Sequence, residues 1–195
     1  FNSLELISAD PCRPFDAARR GINIGEAAGF ALLEKSGSGP WLLGYGESSD
    51  AHHMSSPHPD GLGARLAIEA ALERAELPAA AVDYINLHGT ASQKNDEIEA
   101  RVVADIFEPA VHASSTKGWT GHTLGAAGIL EAVITLLAVE SGVLPGTLNS
   151  QALDANCGPQ IRLENAARPI EVALSHSFGF GGSNCVLAFG NSRPH

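Results

Sequence analysis

From residue 123 to residue 139 the chain carries one charged side chain, Glu131, and is apolar nearly all the way round a helix. A helix on a protein surface shows one apolar stripe and one polar face. A helix without a polar face needs cover on both flanks, and a single sheet covers only one. This segment therefore demands layers, with a sheet on one side of the helix and further structure on the other. Glu131 sharpens the point, because a carboxylate buried without a partner is costly.

The rest of the sequence supplies the layers. Residues 29–34 and 41–45 read as strands, separated by a Gly/Ser turn at 36–40. Residues 62–75 interleave Leu66, Ile68, Ala70 and Leu72 with Arg65, Glu69, Glu73 and Arg74, the pattern of a surface helix. A strand at 82–87 follows Pro78. Residues 96–107 form an amphipathic helix with Ile98, Val102, Val103 and Ile106 inward and Asn95 as N-cap. A short strand at 111–115 precedes the apolar helix, and strands at 172–177 and 184–189 follow it. The order β-β-α-β-α-β-α-β-β is that of an α/β layered domain.

Composition excludes several function classes. A chain of 195 residues with 44% hydrophobic content can bury the core of one domain. A formal charge of −10 argues against non-specific nucleic-acid binding, which needs a basic surface. No apolar run near 18 residues is free of polar interruption, so no membrane span is expected. Cys12, Cys157 and Cys185 stand at unrelated spacings, neither a disulfide framework nor a metal knuckle. No metal site is expected, and a reducing, cytoplasmic setting fits these thiols.

The chemistry concentrates between residues 82 and 122. An apolar run (Val82, Tyr84, Ile85, Leu87) ends at His88-Gly89-Thr90, and Lys117-Gly118-Trp119-Thr120-Gly121-His122 runs into the apolar helix. Polar residues just past a strand end, and again at a helix start, sit where α/β proteins build ligand sites. His52, His53, His58, His112 and His195 lack such settings and read as structural or surface residues. Nothing in the sequence looks like a nucleophile to accompany these bases.

Five motifs together carry a resemblance. Cys12-Arg13-Pro14-Phe15-Asp16, Gly25-Glu26-Ala27-Ala28-Gly29, His88-Gly89-Thr90, residues 117–128 and Ser177-Phe178-Gly179-Phe180-Gly181-Gly182-Ser183-Asn184 resemble the elongating β-ketoacyl-acyl-carrier-protein synthases, in order and at matching separations. The resemblance implies the C-terminal half of a thiolase-like layered fold: α/β/α layers around a mixed five-stranded sheet. In that family the nucleophilic cysteine belongs to the N-terminal half, and no Ala-Cys-Ser-Ser-like elbow occurs here. The resemblance thus implies decarboxylative condensation of an acyl thioester with malonyl-acyl-carrier-protein, with residues 1–195 supplying the decarboxylation half and unable to condense anything alone.

Roles follow by the same resemblance. His88 and His122 would donate N–H to the enolate oxygen, with Lys117 keeping them neutral and Glu131 orienting the lysine. The backbone at Phe180 would complete a second oxyanion hole, and its ring would gate the acyl pocket. Thr90 and Ser92 match the hydroxyls that hold pantetheine, serine standing where threonine is usual, and Asp96 matches a supporting acid. Arg13, Arg19 and Arg20 form the densest basic stretch, the expected docking point for an acidic carrier protein. No organic cofactor is implied, although a structural monovalent cation is compatible with the family. Expected partners are the acyl carrier protein, the N-terminal half, and a second subunit in a homodimer or in a heterodimer of the chain-length-factor type.

Two departures stand out. His176 replaces the usual Asn before Ser177-Phe178, and Gly118-Trp119 replaces a small residue and methionine. These point toward a specialised synthase, of fatty acid, polyene or polyketide chains. Two other readings remain: a non-catalytic chain-length-factor-like subunit, and a thiolase-type acyltransferase. The first has no need of His88, Lys117 and His122 together. The second uses a C-terminal cysteine, for which the strand setting of Cys185 is unsuited.

Overall fold

Three strands covered on both faces form the parallel part of the sheet. In the computed structural model, which describes residues 6–192, these are β2 (Tyr84–Asn86), β3 (His112–Ser114) and β6 (Val172–Phe178), with β2 parallel to the other two. Strands β1 (Trp41–Ser49) and β7 (Ser183–Gly190) extend the sheet antiparallel, giving the order β1-β7-β6-β2-β3. The sheet is mixed and five-stranded, as expected. A two-residue hairpin, β4 (Val143–Leu144) with β5 (Ala166–Ala167), stands apart from it.

Helices cover both faces. Helices α1 (Leu62–Ala75) and α2 (Gln93–Ile106) close one face over Ile85, Leu87, Leu174 and Val186, with Ile68 and Val103 fully buried. Gly46 allows the close approach of α1 to β1, since a Cβ there would strike the Ala67 carbonyl. Each fully buried Leu or Ile in this layer contributes about 1.5–3 kcal/mol. On the opposite face α4 (Ala127–Ser141) packs Ala138 and Val139 against Tyr84 and Ala173. Its short predecessor, α3 (Lys117–Thr120), ends at Gly121. The layers are α/β/α.

Three expectations need correction. Residues 29–34 form no strand: no neighbouring strand offers them a ladder, and Phe30 is 97% exposed. This extended segment instead runs along α4, with Gly29 close against Ile129. Helix α2 begins at Gln93, not Asp96, and Asn95 lies inside its first turn. The N-cap position is Ser92, whose hydroxyl faces Thr90 Oγ1 at 2.9 Å and does not cap the helix. The apolar helix is covered on one flank within this chain, where Ala132, Thr135 and Ala138 are buried, and Leu137 is 56% exposed on the other, as expected where the second layer belongs to the N-terminal half. Lastly, Leu124–Ser141, with mean hydropathy 1.7, is long and apolar enough to cross a membrane by composition, which the sequence reading denied. Its α-helical part, from Ala127, spans only about 22 Å at 1.5 Å per residue, short of the roughly 30 Å hydrocarbon layer. It also carries Glu131, ion-paired with Lys117, and packs Ala138 and Val139 against the sheet. His195 lies outside the described residues.

Candidate active site

The parallel strands deliver their C-terminal ends to one side of the sheet, and the site assembles there. His88 leaves β2 fully buried, its backbone N–H donating to Glu99 Oε1 at 2.8 Å while Gly89 N–H donates to Glu99 Oε2 at 2.8 Å. Lys117 opens α3 beside β3 and is 1% exposed. Its ammonium donates to the His88 carbonyl, to Glu131 Oε1 and to His88 Nδ1 at 3.3 Å. An ammonium has three protons and no lone pair, so these contacts use all of them.

His122 arrives from the other side. Its backbone bridges residues 23–25, with His122 N–H donating to the Asn23 carbonyl at 2.7 Å and Gly25 N–H to the His122 carbonyl at 3.0 Å. The two rings lie 5.4 Å apart between centroids and nearly perpendicular, at 85°. Each Nδ1 accepts a hydrogen bond: at His88 from Lys117, at His122 from Leu124 N–H at 3.3 Å. A neutral imidazole accepting at Nδ1 carries its proton on Nε2. Both rings are thus Nε2–H donors, and both line one cavity of about 720 Å³.

Electrostatics hold the rings in that form. Burial, then the Lys117 charge, pushes His122 down to about 4. The same two causes, with His122 and His176 adding, hold His88 well below the ordinary histidine value. Burial pushes Glu131 up to about 7, against the pull of Lys117. Asp96 is pushed up to about 6 by burial. Its surroundings nonetheless suit a carboxylate: Phe15, Thr90 and Ala91 N–H, Asn95 Nδ2 and the Arg19 guanidinium all face it. Asp96 therefore sits beneath the site and ties residues 90–91 to α2, without reaching the cavity.

Most expected residues meet in the cavity wall: His88, His122, Thr90, Ser92 and Phe180 all line it. Phe180 is 51% exposed, on a turn whose Gly181 and Gly182 have φ near +80°, conformations that glycine adopts without strain. Trp119 lies outside the lining, half exposed on α3. Arg19 contradicts its expected docking role. It is 3% exposed and spent on Asp154 at 2.7 Å, Asp96, and the carbonyls of Asp16 and Gln93. Arg20 remains exposed and lines the cavity mouth, and Arg13 is partly buried near Asp16. The sequence reading missed Glu99, which pins the His88 backbone. Its signal was its place four residues before Val103, on the inward stripe of α2.

Similarity to known proteins identifies the family. Residues 41–151 match the β-ketoacyl synthase C-terminal domain. The mitochondrial 3-oxoacyl-[acyl-carrier-protein] synthase of Arabidopsis thaliana is 40% identical over 91% of this chain and 42% of its own length. The ketosynthase ApeO in complex with its chain length factor ApeC, from Xenorhabdus doucetiae, superposes with TM-score 0.94 at 42% identity, over 97% of this chain and 48% of that one. A type II polyketide synthase acyl-carrier protein in complex with its ketosynthase bound to the hexaketide gives 0.85 at 26%, over 97% and 51%. The chain spans about half the length of the relatives it matches. With five motifs, the layered thiolase-type fold and the domain match in agreement, the chain belongs to the β-ketoacyl synthase family, as its C-terminal domain.

Proposed function

We propose that the protein carrying this chain joins an acyl thioester to malonyl-acyl-carrier-protein, releasing carbon dioxide and giving a β-ketoacyl-acyl-carrier-protein, and that this chain supplies the decarboxylation half. The carrying observation is the pair of neutral Nε2–H donors, His88 and His122, on one cavity with Lys117 behind the first. In the reaction the bond between the malonyl α-carbon and its carboxylate breaks. The electron pair passes into an enolate, whose charge grows on the thioester oxygen. Two N–H donors aimed at that oxygen stabilise it, and neutrality matters because an imidazolium would protonate the carbanion. The carbanion then attacks the acyl carbon held on a cysteine thiolate, which leaves. That cysteine belongs to the N-terminal half of the family pattern.

Thr90 and Ser92 would hold the pantetheine arm, and the Phe180 turn would admit the acyl chain. Glu131 orients Lys117, and Asp96 shapes residues 90–91. Arg20, with Arg13, is the basic point left for the carrier protein. One relative above is named as a 3-oxoacyl-[acyl-carrier-protein] synthase, and the two solved ketosynthases are in complex with a chain length factor and with a carrier protein, which supports those two partner classes. A homodimer or a heterodimer is proposed with them.

The test is His88→Ala and His122→Ala in the full-length protein. Each should slow malonyl thioester decarboxylation by about 100-fold or more, the scale of a lost oxyanion donor. Acylation of the cysteine should suffer less. Unchanged decarboxylation in both variants would sink the assignment.

A further inference from the structure

His176 is fully buried on β6, and the proposed chemistry gives it no task. Its Nδ1 lies 3.2 Å from Glu99 Oε1, while Nε2 has no partner among the described residues. Glu99 is therefore the ring's one polar anchor. Glu99 in turn is 1% exposed and holds the backbone N–H groups of His88 and Gly89. A chain of contacts runs from β6 through α2 to the catalytic histidine.

Charge balance says what His176 does there. The groups facing this spot are Glu99 and Asp96 from α2, Glu131 from α4, Lys117 from α3, and His88. Asp96 has Arg19 beside it, and Glu131 has Lys117. Among the described residues no lysine or arginine pairs with Glu99, and its charge already bears on Glu131 and Asp96. A buried carboxylate without a counter-charge depends on its hydrogen bonds, and the His176 Nδ1–H is one of them. A monovalent cation fits this spot badly. Each oxygen of Glu99 already accepts two N–H donors: His88 N and His176 Nδ1 on Oε1, Gly89 N and Asn95 Nδ2 on Oε2. A cation beside those oxygens would face N–H dipoles. Among the described residues no group of three or more His, Cys, Asp or Glu is arranged to hold a metal ion.

We propose that His176, its Nδ1–H donating to Glu99, stands in place of a bound cation and is thereby a positioning residue that fixes the His88 backbone beneath the enolate. This rests on the reading of His88 as a decarboxylation donor. The Phe178 ring, 5.2 Å from His176 and 6.1 Å from His88, packs beside both and carries any shift of His176 toward the cavity wall.

The experiment compares full-length wild type with His176→Asn, Glu99→Gln and the double variant, in potassium and in tetramethylammonium chloride at equal ionic strength. Melting temperature and malonyl thioester decarboxylation are both read. Wild type should be indifferent to the cation. H176N should melt lower and lose about 100-fold in kcat, the scale of an ångström-level misplacement, with KM less affected and partial rescue by potassium. In the E99Q background the same substitution should cost far less, a coupling that lost packing alone would not give. If H176N does not fold, His176→Gln and the double variant carry the same comparison. Additive melting shifts, or a wild type that itself needs potassium, would overturn the proposal. Failure of wild type to decarboxylate would sink the proposed function, while the melting-temperature cycle would still decide the pairing of His176 with Glu99.

Discussion

His88 and His122 present the same donor atom to the same cavity, yet the molecule holds them by different means. His88 sits in a closed region, its amide on Glu99, its carbonyl and Nδ1 on Lys117, with α1 and α2 sealing the sheet behind it. His122 sits in an open region. It is held by backbone hydrogen bonds to residues 23–25 and by Leu124 N–H, at the start of a helix whose far face is uncovered. The first donor depends on buried charge, and the second on how two extended segments lie together. Disturbing charge should therefore damage one region, and disturbing cover should damage the other.

The largest effect should come from the closed region. Lys117→Ala leaves Glu131, 2% exposed, without its cation, and breaking a buried pair costs about 3–5 kcal/mol. It also frees His88 Nδ1 to take the proton, so decarboxylation should fall with stability. Denaturant melts of K117A against K117A/E131Q separate the two, because the double variant removes both charges and should recover most of the stability. Equal stability of K117A and wild type would show that the closed region does not depend on charge.

Acid distinguishes the two histidines next. Both have folded values below the ordinary 6.5, so the unfolded chain takes up these protons first. Their contribution to stability is whole above about 6.5. For His122 it is lost as the pH falls from there through about 4. Glu131 works in the opposite direction: its contribution is whole below 4.5 and is lost as the pH rises through about 7. Decarboxylation by the full-length protein should stay level from pH 7 down to an acid limb near 4, set by His122. In K117A that limb should move toward 6.5. A wild-type limb already at 6.5 would mean ordinary, unperturbed imidazoles.

The two regions also differed in how legible they were. Helix α1 has the expected bounds, because its buried stripe of Ala64, Ala67, Ile68, Ala71 and Leu72 meets a sheet within the same chain, although Leu66 faces outward. The strand expected at 29–34 failed because the apolar run was right but nothing among the described residues pairs with it. Periodicity reports that a segment wants cover, not where the cover is. At the site, His88, His122 and Lys117 were legible from motifs, whereas Glu99 was legible only from its place on the inward stripe of α2. What that carboxylate does there follows from the backbone amides it accepts, which the spacing does not reveal. Arg19 failed for the same reason in reverse, its ion pairs with Asp96 and Asp154 spanning distant parts of the sequence.

Cover is tested by Leu137→Ala on the far face of α4. In this chain alone the residue is 56% exposed, and the change should cost within about 0.5 kcal/mol. In the full-length protein, with a second half against that face, the same change should cost about 2–5 kcal/mol. Equal costs in the two contexts would leave the face without a second layer and would count against a two-half architecture.

The smallest expected effect is none at all, and it concerns the seam between the two regions. Cys12 lies there, its N–H donating to Asn23 Oδ1 at 2.6 Å and its thiol facing the Thr90 carbonyl at 3.7 Å. A thiol attacks a thioester as thiolate, and burial pushes Cys12 and Cys157 up to about 11, with Cys185 also raised. Lys117 pulls Cys12 down and Arg19 pulls Cys157 down, but burial outweighs both. Residues 1–195, incubated with an acyl thioester, should therefore keep their unmodified intact mass. Stoichiometric acylation at any of the three would place a nucleophile inside this chain. The division of labour proposed here, with acyl transfer in one half and decarboxylation at His88 and His122 in the other, would then be wrong.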